Sequence, residues 1–159
     1  MTRSYVPPGG RVLTPYLCCR NAGAAIEWYV DVFGARLTYE PYVDADGRIG
    51  HAEIDIDGAG LMLSDGYPEV GVTEPSPDHL PTYSLYLHVP DVDATVQLAV
   101  EGGAIVQREA EDAFHGARVA TIIDPFGIRW TLAKHLYTVS EETFDAARKG
   151  FAGGEDTLN

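Results

Sequence analysis

The chain of 159 residues is poor in cysteine: it has two, Cys18 and Cys19, and they are neighbours. Adjacent side chains on a strand point to opposite faces, so no disulfide scaffold is expected and both read as buried thiols. Basic residues are scarce too, 11 Lys and Arg against 24 Asp and Glu, giving a net charge of -13. Such a field repels phosphate backbones and attracts cations, which argues against nucleic acid and permits a basic or metal-bearing ligand; it also serves simply to keep a chain soluble. No run approaches the roughly 18 apolar residues of a membrane span. Residues 1–10 lack the apolar segment of a secretion signal, so the expectation is a soluble cytoplasmic protein with no membrane partner. Also missing are a Gly-rich phosphate loop, a Ser nucleophile elbow, a CxxC pair and an HExxH motif.

What is present is an ordinary globular mixture, 45% hydrophobic and 22% charged, with an internal repeat. Tyr16-Leu17 recurs as Tyr86-Leu87, seventy positions on. Asn21 and Asp91 are both N-cap types, and behind them Ala22, Ile26, Tyr29 and Val30 match Val92, Val96, Ala99 and Val100 as one helical face in each copy. The helices stop at Gly34 and at Gly102-Gly103. Beyond them the offset becomes 69: Gly58 matches Gly127, and Leu61-Met62-Leu63 matches Trp130-Thr131-Leu132.

Three strand-like stretches follow each helix, separated by turn signals such as Asp46-Gly47, Asp57-Gly58 and Asp124-Pro125-Phe126-Gly127. The spacing predicts a first βαβββ module over 11–66, a linker over 67–81 too proline-rich for regular structure, a second module over 82–137, and a tail over 138–159. In that tail Ser140 caps a short helix ending at Gly150. The fold class is α+β.

Two such modules, the helix motif Ala25-Ile26-Glu27-Trp28-Tyr29 to Phe33-Gly34-Ala35, the strand Gly50-His51-Ala52-Glu53-Ile54 and the turn Asp124-Pro125-Phe126-Gly127 with Trp130 together resemble the vicinal oxygen chelate (glyoxalase/bleomycin-resistance/dioxygenase) superfamily, nearest to its PhnB-like branch. The resemblance implies a cup-shaped mixed sheet with helices outside and a ligand site inside, and a homodimer, since such modules often complete their cups across subunits. It does not fix the chemistry: members include lyases, isomerases, dioxygenases, thiol transferases and drug-sequestering proteins. Metal ligands of the metal-dependent members correspond here to Thr14, Met62, Ser84 and Thr131, three hydroxyls and a thioether. These suit no Zn, Ni, Fe or Mn site, so no cofactor and no metal at that place is expected.

Strand alternation suggests what faces the cup instead. Ala52, Ile54 and Ile56 form an apolar face, so His51 and Glu53 take the other. The same parity points Arg118, Ala120 and Ile122 inward, with Tyr16, Tyr86 and His88 on the two first strands. Candidate ligand-binding residues are therefore Tyr16, His51, Glu53, Met62, Tyr86, His88, Phe114, Arg118 and Thr131; His51 and Glu53 are the candidate acid/base pair. His51 and Glu53 read equally as a structural pair, His88 as a core histidine, and Arg118 as a bridge to Glu53. The resulting expectation is a metal-independent small-molecule binding protein of bleomycin-resistance type that sequesters a drug or metabolite, its ligand cationic or aromatic. The alternative is a lyase, isomerase or dioxygenase using a displaced metal or the His/Glu pair. A third reading is an accessory protein docking through its linker or tail.

Overall fold

The computed structural model describes residues 5–6 and 10–152, with side chains up to 147; the expected loose end at Gly153-Gly154-Glu155 lies outside the described residues. The first module runs β1 (Tyr16–Cys18), α1 (Ala22–Phe33), β2 (Arg36–Leu37), β3 (Tyr42–Val43), β4 (Ile49–Ile56) and β5 (Ala59–Ser64). The second runs β6 (Leu85–His88), α2 (Val92–Glu101), β7 (Ile105–Ala113), β8 (Ala117–Ile123) and β9 (Arg129–His135), followed by α3 (Glu141–Ala152). Two mixed sheets result, ordered β1-β5-β4-β2 with β3 also on β4, and β6-β9-β8-β7. In each, the first strand lies parallel to the last and the remaining pairs are antiparallel.

The caps explain the helix limits. Asn21, in a left-handed conformation, accepts from the Ala24 N–H through its side chain, and Asp91, in an extended one, accepts from the Ala94 N–H. Gly34, at φ +66, turns its N–H back to the carbonyls of Tyr29 and Val30. Ser140 accepts from the Thr143 N–H, but α3 continues past Gly150. Pro41, which has no N–H to donate, stands in the break between the two short strands β2 and β3. The linker is also more ordered than its prolines suggest. Pro68–Val70 makes a 3-10 turn, closed by a bridge between Tyr67 and Val72.

Both helices pack on one side of the sheets in a single shared core. The buried arc of α1 is Ala22, Ala25, Ile26, Trp28 and Tyr29. Val30 and Val100, expected on the apolar faces, are about half exposed at 42% and 47%, because successive residues turn 100° and the arc is centred one position earlier. Trp28 instead reaches α2, its indole N–H donating to the Gly102 carbonyl at 2.9 Å.

The most connected core group is Asp124. Its buried carboxylate accepts from the Tyr29 hydroxyl (2.7 Å), the Trp130 indole (2.8 Å) and the backbone N–H groups of Phe126 and Ile128. Burial raises its pKa above the ordinary carboxylate value, although all four donors pull the other way. This knot fastens α1 of one module to the last hairpin of the other. Gly127, at φ +91, lets Pro75 of the linker approach to where a Cβ would stand 2.6 Å from it.

Register corrects one expectation. Ile54 pairs with Leu61, whereas Ile122 pairs with Trp130, so the second hairpin holds one residue more between facing positions. The offset on β8 is thus 68 rather than 69, and a one-residue slip moves every side chain to the other face. Ala120 and Ile122 pack in the helix-side core, and Arg118 points that way too. It holds Asp93 of α2 by two bonds of 2.5 and 2.7 Å and Asp112 at 2.8 Å. Arg118 therefore neither faces the cup nor bridges to Glu53.

Candidate functional site

The open face of the first sheet carries Tyr16 and Cys18 from β1, His51 and Glu53 from β4, and Met62 and Ser64 from β5. Their partners in alternation, Leu17, Ala52, Ile54, Leu61 and Leu63, fill the core. Over this face lies a cleft of about 440 Å³. Tyr16, Cys18, His51 and Ser64 form its floor, Tyr42 and Asp44 one wall, and Tyr67, Val70 and Val72 of the linker the other. None of the lining residues is Lys or Arg.

A hydrogen-bonded chain runs along the floor. The Tyr16 hydroxyl lies 3.0 Å from the Gly50 carbonyl and 2.9 Å from His51 Nδ1, while His51 Nε2 lies 3.3 Å from Glu53 Oε1. An ionised Glu53 only accepts, so Nε2 carries a hydrogen, and in the neutral ring Nδ1 then accepts from Tyr16. Tyr16 has one hydrogen, so it serves either His51 Nδ1 or the Gly50 carbonyl, not both at once. Tyr39 stacks on the His51 ring at 6.1 Å.

The remaining floor groups are poor nucleophiles. Burial raises the Cys18 pKa, with the charges of Glu74 and Asp65 adding to the effect, so it stays a thiol at neutral pH. It is half-buried on the cleft rather than in the core. Cys19, on the opposite face, is fully buried and pushed up to about 12, chiefly by burial. Burial raises Tyr16 as well, partly offset by the Ser64 hydroxyl.

Of the residues expected at the site, Tyr16, His51, Glu53 and Met62 come together, Met62 lying opposite both Tyr16 and Glu53 in register. Tyr86, His88 and Thr131 occupy the open face of the second sheet, separate from the cleft; Tyr86 and His88 are exposed, with ring centroids 5.3 Å apart. Phe114 sits in the β7–β8 turn against His115 and Phe144. The places of the usual metal ligands do not fit a metal: Ser84 and Thr131 share a hydrogen bond of 2.9 Å, and Met62 offers only sulfur. Among the described residues no group of three or more His, Cys, Asp or Glu could hold a metal ion. Tyr42, Asp44, Tyr67, Val70 and Val72 were not foreseen. The available signal was Tyr67, an aromatic residue beside Pro68 in an otherwise polar stretch.

Paired βαβββ modules with a cleft on the open face of one sheet define a recognised class. The chain belongs to the glyoxalase/bleomycin resistance protein/dioxygenase superfamily, which it matches over residues 11–132. An uncharacterised protein of Mycobacterium bovis is 34% identical over 146 residues, covering 89% of this chain and 95% of its own. Among solved structures, TioX from Micromonospora sp. ML1 is 26% identical with a TM-score of 0.60, covering 80% of this chain and 100% of that one. A PhnB protein from Bacillus cereus, 17% identical, shares the fold at a TM-score of 0.60 over 78% of this chain and 99% of its own. No helix among the described residues is long and apolar enough to cross a membrane.

Proposed function

We infer that the chain is a metal-independent small-molecule binding protein, working as a cytoplasmic homodimer that sequesters a planar, cationic or aromatic drug or metabolite. The observation that carries this reading is the lining of the cleft. It joins three tyrosines and two valines to Asp44, with His51 on the floor and no Lys or Arg, in a chain of net charge -13. Tyrosine faces attract planar cations, and a carboxylate at the rim draws them in. The test is a thermal-shift titration with proflavine, ethidium and a basic glycopeptide, alongside metal analysis of untreated protein. Stabilisation by the planar cations with metal near zero supports the reading. Absence of any shift, or stoichiometric metal lost on His51→Ala, overturns it.

A second reading rests on the Tyr16–His51–Glu53 chain. A histidine held between a hydroxyl and a carboxylate suits a general base, which would make the protein a lyase or isomerase acting on a weakly acidic ligand. Loss of turnover in both Tyr16→Phe and Glu53→Gln, with binding retained, is the outcome that would favour it.

A further inference from the structure

We propose that Arg48 is the positioning residue of the cleft: its guanidinium latches residues 66–72 over the open sheet, and ligand capture depends on that latch closing. The proposal rests on the binding reading above and adds how the site is built and opened.

Residues 66–72 have little apolar anchorage. Val70 is 74% exposed, and Pro68, Glu69 and Gly71 are exposed as well. With only Gly66 buried and Tyr67 half-buried, such a segment is held largely by polar bonds or opens locally, independently of the core. Here those bonds converge on one side chain. Arg48 Nη1 donates to the Gly66 carbonyl at 3.0 Å, Nη2 to Glu69 at 2.8 Å and Nε to Asp46 at 2.8 Å. The guanidinium carbon also lies 3.9 Å from the centroid of the Tyr67 ring. Three donors and a stacked face are used at once, an arrangement that the rigid fork of arginine provides and lysine does not.

Arg48 is itself fixed from below. Its backbone N–H donates to Asp46 and its carbonyl accepts from Asp44, so the turn before β4 presents it. The Asp44 carboxylate then takes the Tyr67 hydroxyl at 2.6 Å, which pushes that phenol up to about 12. At the root of the segment, Asp65 accepts from the N–H groups of Ala22 and Ile49, both at 2.7 Å, tying it to the start of α1 and β4. The segment therefore has a firm root and a polar clasp centred on Arg48, with the Tyr67–Asp44 bond beside it. Tyr67, Val70 and Val72 form a cleft wall only while the clasp is made.

The experiment has two readouts on wild type, Arg48→Met and Arg48→Lys. Hydrogen exchange in a peptide covering 66–72 is read without ligand. Arg48→Met is expected to speed it roughly tenfold and Arg48→Lys by less, with exchange around Ile128 and Leu132 unchanged. Equal exchange in all three proteins overturns the latch. Proflavine binding is read second. Wild-type binding weakened roughly tenfold by Arg48→Met supports capture through the latch. Binding unchanged in a loosened variant overturns that dependence. Faster exchange with no wild-type binding leaves the latch standing and sinks the proposed ligand class instead. If Arg48→Met fails to fold, Tyr67→Phe, which removes only the bond to Asp44, serves the same purpose. It is expected to loosen 66–72 by a smaller factor, and no change there counts against the clasp.

Discussion

The two hairpin turns that close the modules start from the same motif and end in opposite environments. Asp55-Ile56-Asp57-Gly58 keeps its first aspartate near solvent, where Asp55 accepts from the Gly58 N–H and pairs with Arg11 and Arg36. Asp124-Pro125-Phe126-Gly127 turns its aspartate inward to Tyr29 and Trp130. The sheets differ in the same way. The open face of the first carries Tyr16, His51 and Glu53 in a connected chain, whereas at the corresponding positions of β8 the second carries Val119 and Thr121. One turn is tied into the core shared by both modules, and its counterpart stays at the surface.

That division is open to direct attack. Asp124→Ala leaves two side-chain and two backbone donors without their partner in a dry core, and a loss of about 3–5 kcal/mol is expected in urea unfolding. Asp55→Ala at the repeat-equivalent turn is expected to lose far less; comparable losses would end the comparison. Tyr29→Phe, which deletes one donor to Asp124, is expected to cost about 1–2 kcal/mol by the same measurement. His51→Ala inverts the pattern: stability changes by no more than about 0.5 kcal/mol, while proflavine affinity falls roughly tenfold by fluorescence titration.

The smallest effect concerns acid. Asp55 is held below the ordinary carboxylate range, first by the Gly58 N–H and then by Arg11 and Arg36. Its contribution is present above its unfolded pKa, about 3.9, and disappears as pH falls through the lower folded value. Asp124 is raised, so its contribution has the opposite sign: it is present below the unfolded value and lost as pH rises through the folded one. Unfolding of Asp55→Asn and Asp124→Asn between pH 3 and pH 7 should therefore give difference curves of opposite slope, and parallel slopes would refute the contrast.

Much of this was legible in the sequence. The caps at Asn21 and Asp91 and the glycines ending both helices follow from local rules that tertiary contacts did not override; the offset of 69 holds for β5 and β9 but not for β8. His51 and Glu53 were legible because Ala52, Ile54 and Ile56 alternate with them unambiguously. Arg118 was misplaced because one extra residue in a turn changes no composition yet reverses a whole strand. Tyr42, Asp44 and most of the 66–72 wall were out of reach because they come from segments with no periodicity, Tyr67 being the one signal.

The position of the two tryptophans gives the molecule an optical division of labour. Trp28 and Trp130 are both buried in the core shared by the helices, and neither lines the cleft, which is furnished with tyrosines. Indole emission thus monitors the junction between the repeats, while the wall over the first sheet carries no indole of its own. A guest in the cleft announces itself through quenched phenol emission or energy transfer from tyrosine, so occupancy and integrity are read in the same cuvette at different wavelengths.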